Sequence, residues 1–153
     1  MMHSSSLTRR RWLALAASCT AARSAAAQPK PVLLAIDAEF GHVTSTSAQA
    51  IERGARIAID EVNQAGGVLD GRPLALEQRD NRGVPTRAVQ NLRELAALPD
   101  VAAVITGKFS PAVLECAPVA QELGLPLLAA WSAADGITAG QGRPNYVFRL
   151  SLR

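Results

Sequence analysis

Apolar residues along this chain switch between two spacings. Val32 to Ile36 is an unbroken apolar run, as expected of a strand covered on both faces. Ile51, Ala55, Ala58 and Val62 then recur at helical spacing with Ile59 beside them, while Glu52, Arg56 and Asp60 line the other side at i,i+4. Thr44-Ser45-Thr46-Ser47 offers hydroxyl caps for the start of this helix, and Gly66-Gly67 supplies its left-handed stop. Leu69 to Pro73 is turn chemistry, and Leu74 to Arg79 alternates as a second strand nearer a sheet edge. Pro85 suits the first turn of a second helix, with Ala88, Leu92, Leu95 and Ala96 inward and Arg87, Asn91 and Glu94 outward. Val101 to Ile105 is a third buried strand, ending at Thr106-Gly107. A third helix is expected from about Ser110 to Leu123, burying Val113, Cys116, Ala117, Ala120 and Leu123 and kinked at Pro118. Gly124-Leu125-Pro126 ends it. Leu127 to Ala130 makes a fourth strand, and Tyr146 to Leu150 has the composition of a fifth.

Strands alternating with helices define an α/β protein with a doubly wound parallel sheet. The final residues stop in or just after a strand with no helix to follow, so the sheet is expected to be incomplete. In such folds ligands lie beyond the carboxyl ends of the strands. Here that edge comprises Asp37 to Ser47, Asp80 to Val84, Gly107 to Ser110 and Trp131 to Asp135.

The 153 residues fit one domain with a real core. The formal charge of +3 misleads, because residues 1–27 carry the three parts of an export signal. Thr8-Arg9-Arg10-Arg11-Trp12-Leu13 is the charged start, Trp12 to Ala22 the apolar part, and Ala25-Ala26-Ala27 the small-residue cleavage site. The Thr-Arg-Arg-x-aromatic-Leu order is also that of a twin-arginine signal, which leaves that route and the general secretory one open. With Arg9, Arg10, Arg11 and Arg23 removed, twelve basic residues face thirteen acidic ones, a net charge of −1 that argues for no nucleic-acid partner. The apolar part is too short to span a bilayer, so no span is expected in the mature chain, residues 28–153. Cys19, after Ala16-Ala17-Ser18, faintly resembles a lipoprotein attachment site. Its loss with the signal leaves Cys116 alone, on an apolar face, as a small buried hydrophobe rather than a nucleophile.

Among the edge residues, Gly107-Lys108-Phe109-Ser110-Pro111 opens a helix, so the Ser110 hydroxyl and nearby free N–H groups are placed to cap the helix and to hold a carboxylate. Trp131-Ser132-Ala133 offers an aromatic wall and a carbonyl-rich rim, and Phe40 and His42 occupy the first loop. Enzyme signatures fail. The first loop has only Gly41, so the dinucleotide fingerprint is missing, and no phosphate loop or nucleophile elbow occurs. One histidine outside the signal makes a His-based metal site a poor fit, and no cofactor is expected. Asp60-Glu61 and the pair Asp37 and Glu39 read as solvated carboxylates.

From Asp37 onward the chain resembles the N-terminal lobe of a type I periplasmic solute-binding protein of the branched-chain amino acid (Leu/Ile/Val) transport class. The matching residues are Gly54-Ala55-Arg56-Ile57-Ala58-Ile59-Asp60-Glu61-Val62-Asn63 with Ala65-Gly66-Gly67-Val68, then Gly71-Arg72-Pro73-Leu74 and Asp80-Asn81. Gly124-Leu125-Pro126-Leu127 and Tyr146-Val147-Phe148-Arg149 also fit. The resemblance implies a Rossmann-like first lobe, periplasmic location, a small amino-acid-like solute as ligand, and an ABC transporter membrane permease as partner. It places Ser110 where the family's serine contacts the ligand carboxylate, and maps the loop after the fourth strand to Trp131, Ser132 and Ala133. The family's aromatic wall near Ser47 and its threonine near Ala133 are missing, which opens the site to other small carboxylates or amides. Two rival readings remain: a truncated remnant without binding activity, and a secreted Rossmann-like enzyme.

Overall fold

The computed structural model describes residues 29–41, 45–140 and 142–151. The signal segment, Cys19, His42 and Thr44 lie outside the described residues. Five parallel strands form one sheet: β1 (Val32–Ala38), β2 (Leu74–Asp80), β3 (Val101–Thr106), β4 (Leu127–Ala129) and β5 (Val147–Arg149), in the order β2-β1-β3-β4-β5. Three helices connect the first four strands: α1 (Thr46–Gln64), α2 (Pro85–Ala96) and α3 (Ser110–Leu123). A short 3₁₀ turn, Asp135–Ile137, lies between β4 and β5. β2 is an edge strand, as its mixed composition suggested.

The sheet's two faces follow from the two-residue period of its strands. On one face Ala35, Val104, Leu127, Ala129 and Val147 pack with Ala88, Leu92 and Leu95 of α2 and with Val113, Cys116, Ala117 and Ala120 of α3. On the other, Ile36 and Ala38 meet Ala48 and Ile51 of α1, with Phe40, Leu76 and Ile105 around them. Helices on both faces of a parallel sheet make the fold doubly wound. Coverage of the α1 face fades along the register row Ile36, Ile105, Leu128 and Phe148, from full burial at Ile36 to 44% exposure at Phe148.

Several helical positions differ from the periodicity. α1 buries Ile59 and leaves Ala58 and Ile57 exposed, because its stripe drifts around the helix over five turns. α3 runs continuously through Pro118, and Leu123 at its last turn is exposed, its place in the core taken by Leu125. Asn91, expected outside, is buried at the α2–sheet junction.

The residues that carried the family resemblance hold the ends of the elements. Gly66 and Gly67 have φ of 108° and 80°, and a Cβ on Gly67 would come within 2.4 Å of the Arg72 carbonyl oxygen. That proximity lets Val68 and Arg72 exchange backbone hydrogen bonds of 2.8 and 2.7 Å around the turn. Asn63 closes the unit: its amide donates to the Leu74 carbonyl (2.9 Å) and its oxygen accepts from the Leu74 N–H (2.7 Å). Asn63→Ala removes both and leaves two part-buried backbone groups unpaired, so a loss of about 1–3 kcal/mol is expected in urea denaturation. A change within error would show that water takes over both bonds.

Candidate functional site

The strand order reverses direction between β1 and β3, since β1 is followed by β2 on one side and by β3 on the other. The crevice beyond the carboxyl ends of two such strands is where open α/β sheets bind ligands. In this chain it holds a small cleft with about 10 Å³ of room for a water-sized group. Glu39, Thr106, Gly107 and Phe109 line it from the strand ends, with Asp37 and Asn81 behind them and Cys116 on the helix side. No basic side chain is among the described residues that line it.

Two carboxylates expected to be solvated are in fact buried here. β1 extends two residues past Ile36, which puts Asp37 on the same face as Ala35, under α2. Its Oδ2 accepts from the Asn81 amide at 2.9 Å and its Oδ1 from the Asn91 amide at 2.7 Å. Burial pushes the Asp37 carboxyl up to about 6; the two amides pull it down, Asp80 adds a smaller upward push, and Arg87 a downward one. Burial likewise raises the Cys116 thiol to about 12, so it is a neutral part of the core, as its apolar face implied.

Glu39 follows the strand and is 5% exposed. Its Oε1 accepts from the hydroxyls of Ser45 and Ser47, each at 3.2 Å. This corrects the capping expectation: Ser45 is the cap residue of α1, but neither serine hydroxyl caps it, because the buried carboxylate competes for both. Glu39 Oε2 is buried and has no hydrogen-bond partner among the described residues. A Cβ on Gly107 would stand 2.2 Å from that oxygen and 2.9 Å from the Ala38 Cβ, so only glycine permits the approach.

The residues selected from the sequence lie along the same edge, in different environments. Phe40 is half-buried against the cluster under α1. Ser110 is the first residue of α3 and half-buried; the cap position belongs to Phe109, which has no side-chain cap bond to offer. Trp131 is 53% exposed beyond β4, and Ala133 is exposed. Ser132 is fully buried, its hydroxyl donating to the Gly107 carbonyl at 2.8 Å. Arg149 donates to the Ala133 carbonyl at 2.7 Å, and the Ser151 hydroxyl to the Ser132 carbonyl at 2.6 Å. Ser47 and Ser132 therefore brace the rim internally, while Phe40, Ser110, Trp131 and Ala133 retain exposed surface. Glu39, Asn91 and Phe109 were named in the sequence reading but not selected for the site. A signal existed for the first: two acids at the end of an apolar strand are an anomaly that burial explains.

A sheet of this order with its cleft at the β1–β3 reversal is a doubly wound α/β ligand-binding scaffold. The periplasmic binding protein family matches residues 36–151, and the chain belongs to that family. Over 99 residues it is 33% identical to the Leu/Ile/Val-binding protein homolog 8 of Brucella abortus, covering 65% of this chain and 24% of that protein. Among solved structures it is similar to the branched-chain amino acid transporter substrate binding protein of Streptococcus pneumoniae, solved in complex with isoleucine. There the TM-score is 0.66 and the identity 28%, over 73% of this chain and 32% of the other. An ABC-type branched-chain amino acid transporter structure from Rhodopseudomonas palustris shares the fold with a TM-score of 0.68 at 24% identity, over 78% of this chain and 32% of that one. The chain thus spans about a quarter of the length of the curated relative and about a third of these structures.

Proposed function

We propose that this chain is first-lobe sequence of an exported solute-binding protein, residues 28–153 following a signal at 1–27, that presents a small amino-acid-like solute to an ABC transporter permease. The carrying observation is the cleft at the strand reversal, bounded by Gly107, Phe109 and the opening of α3. The names of the relatives, which are binding proteins for leucine, isoleucine and valine or parts of branched-chain amino acid transporters, support the same reading. In this reading Ser110 and the first turn of α3 receive the solute carboxylate, where the helix dipole favours negative charge. Phe40, Trp131 and Ala133 form the apolar rim, and Ser47 and Ser132 hold it in place.

Titration calorimetry of the folded chain against a panel of amino acids tests the reading. Binding of leucine, isoleucine or valine is expected, and Ser110→Ala should weaken it about tenfold, as loss of a hydrogen bond to a charged group does. Unchanged affinity in Ser110→Ala would remove that serine from the site. No heat at millimolar concentration from a folded chain would overturn binding by this chain and leave the remnant reading.

A further inference from the structure

Asp37 is a buried acid in the wall of the cleft to which the carboxylate-binding reading gives no task. We infer that Asp37 takes up a proton when a solute fills the cleft, so that the chain binds a carboxylate-bearing solute more tightly as pH falls. The inference rests on the solute-binding reading above and adds the regulation of that same site.

Three observations carry it. The first is position. Asp37 is 3% exposed and lines the same cleft as Phe109, Ala112 and Val113 at the opening of α3, where that reading places the solute carboxylate. The second is that the cluster around it accommodates both protonation states. Its hydrogen bonds come from two neutral amides, Asn81 and Asn91. A proton on Oδ1 faces Asn91, whose amide can turn to offer its oxygen. Oδ2 meanwhile keeps the bond from Asn81, which is itself fixed by the Gly83 N–H at 2.8 Å, so the loop after β2 stays in place. The third is charge. Asp80 at the end of β2 opposes ionisation of Asp37, and Arg87 on α2 favours it but is turned to the Asp80 carbonyl at 2.9 Å. Cys116 on α3 is neutral, and Glu39 lines the cleft two residues further along the chain. A solute that drives water from the cleft and sets its carboxylate at the opening of α3 disfavours the ionised form further. The free carboxyl stands at about 6 and the bound one above it. Binding between those two values takes up a proton, affinity rises as pH falls through that window, and it levels off below about 6.

The test is titration calorimetry of the full chain with L-leucine, a zwitterion throughout the range used. PIPES and ACES buffers differ in ionisation heat, so the difference between the two binding enthalpies counts the protons exchanged. A carboxyl carried by binding from about 6 to about 7 takes up about half a proton at about pH 6.5 and strengthens binding about sevenfold from pH 8 to pH 5.5. Asp37→Asn should abolish both effects, and His42→Asn should keep them, because a histidine titrates in the same range. The Asp37 carboxyl carbon, followed by NMR in the parent chain, should titrate at higher pH with leucine bound than without. That comparison decides the matter even if Asp37→Asn does not fold. Leucine bound with no proton exchange or with proton release sinks the inference while solute binding stands. So does uptake that persists in Asp37→Asn or vanishes in His42→Asn. A folded chain that binds none of leucine, isoleucine and valine at any of these pH values overturns both readings.

Discussion

Between pH 6 and pH 4 the folded chain is expected to gain about 2 kcal/mol of stability from Asp37 alone. The folded state holds the Asp37 proton up to about pH 6, whereas an unfolded aspartate releases it near 3.8. Within that window the native state binds more protons than the unfolded state, so stability rises as pH falls. The contribution is complete below 3.8 and lost as pH climbs through 6. Other carboxylates stand in ion pairs, such as Asp100 with Arg72 and Glu77 with Arg79, so the measurement must be a difference. Asp37→Asn provides it. The Asn91 amide can turn its oxygen toward the new side-chain N–H₂, while Asn81 keeps its bond to Gly83 N–H at 2.8 Å and still donates to the substituted residue. The stability gap between parent and Asp37→Asn in urea denaturation should therefore shift by about 2 kcal/mol from pH 7 to pH 4, in favour of the parent. Parallel pH curves would mean that Asp37 is not buried as described.

That prediction rests on a residue whose position was only half legible. The apolar run fixed β1 to Ile36, and alternation carried two residues further places Asp37 inside, but a charged side chain in an apolar strand reads naturally as the strand's end. The same logic sent Asn91 outward: a polar residue at helical spacing between Val89 and Leu92 is ordinarily solvated. What turned both inward is a tertiary pairing 54 residues apart, which no local pattern records. The strand and helix order was legible because long periodic segments carry it. The edge that carries the cleft was legible too, because parallel sheets open their crevice at the carboxyl ends of the strands. The serines were misread for a different reason. Near a helix start, hydroxyls ordinarily satisfy the free N–H groups, yet a buried carboxylate is the stronger acceptor, and Ser45 and Ser47 turn to Glu39 instead.

Gly107→Ala should destabilise the chain by about 1–3 kcal/mol, the usual range for overpacking a filled interior. It should do so through Glu39. The added Cβ meets Oε2 at 2.2 Å and the Ala38 Cβ at 2.9 Å. Ala38 is fully buried in a central strand and has no side chain to move, so the strain falls on the Glu39 carboxylate. Yielding means breaking one or both serine bonds, which loosens the segment leading into α1. A double-mutant cycle with Glu39→Ala separates this from general crowding. Removing the carboxylate relieves the closer contact, so the double variant should be more stable than the two single losses predict by about 1 kcal/mol. Agreement with simple addition to within about 0.5 kcal/mol would place the strain elsewhere.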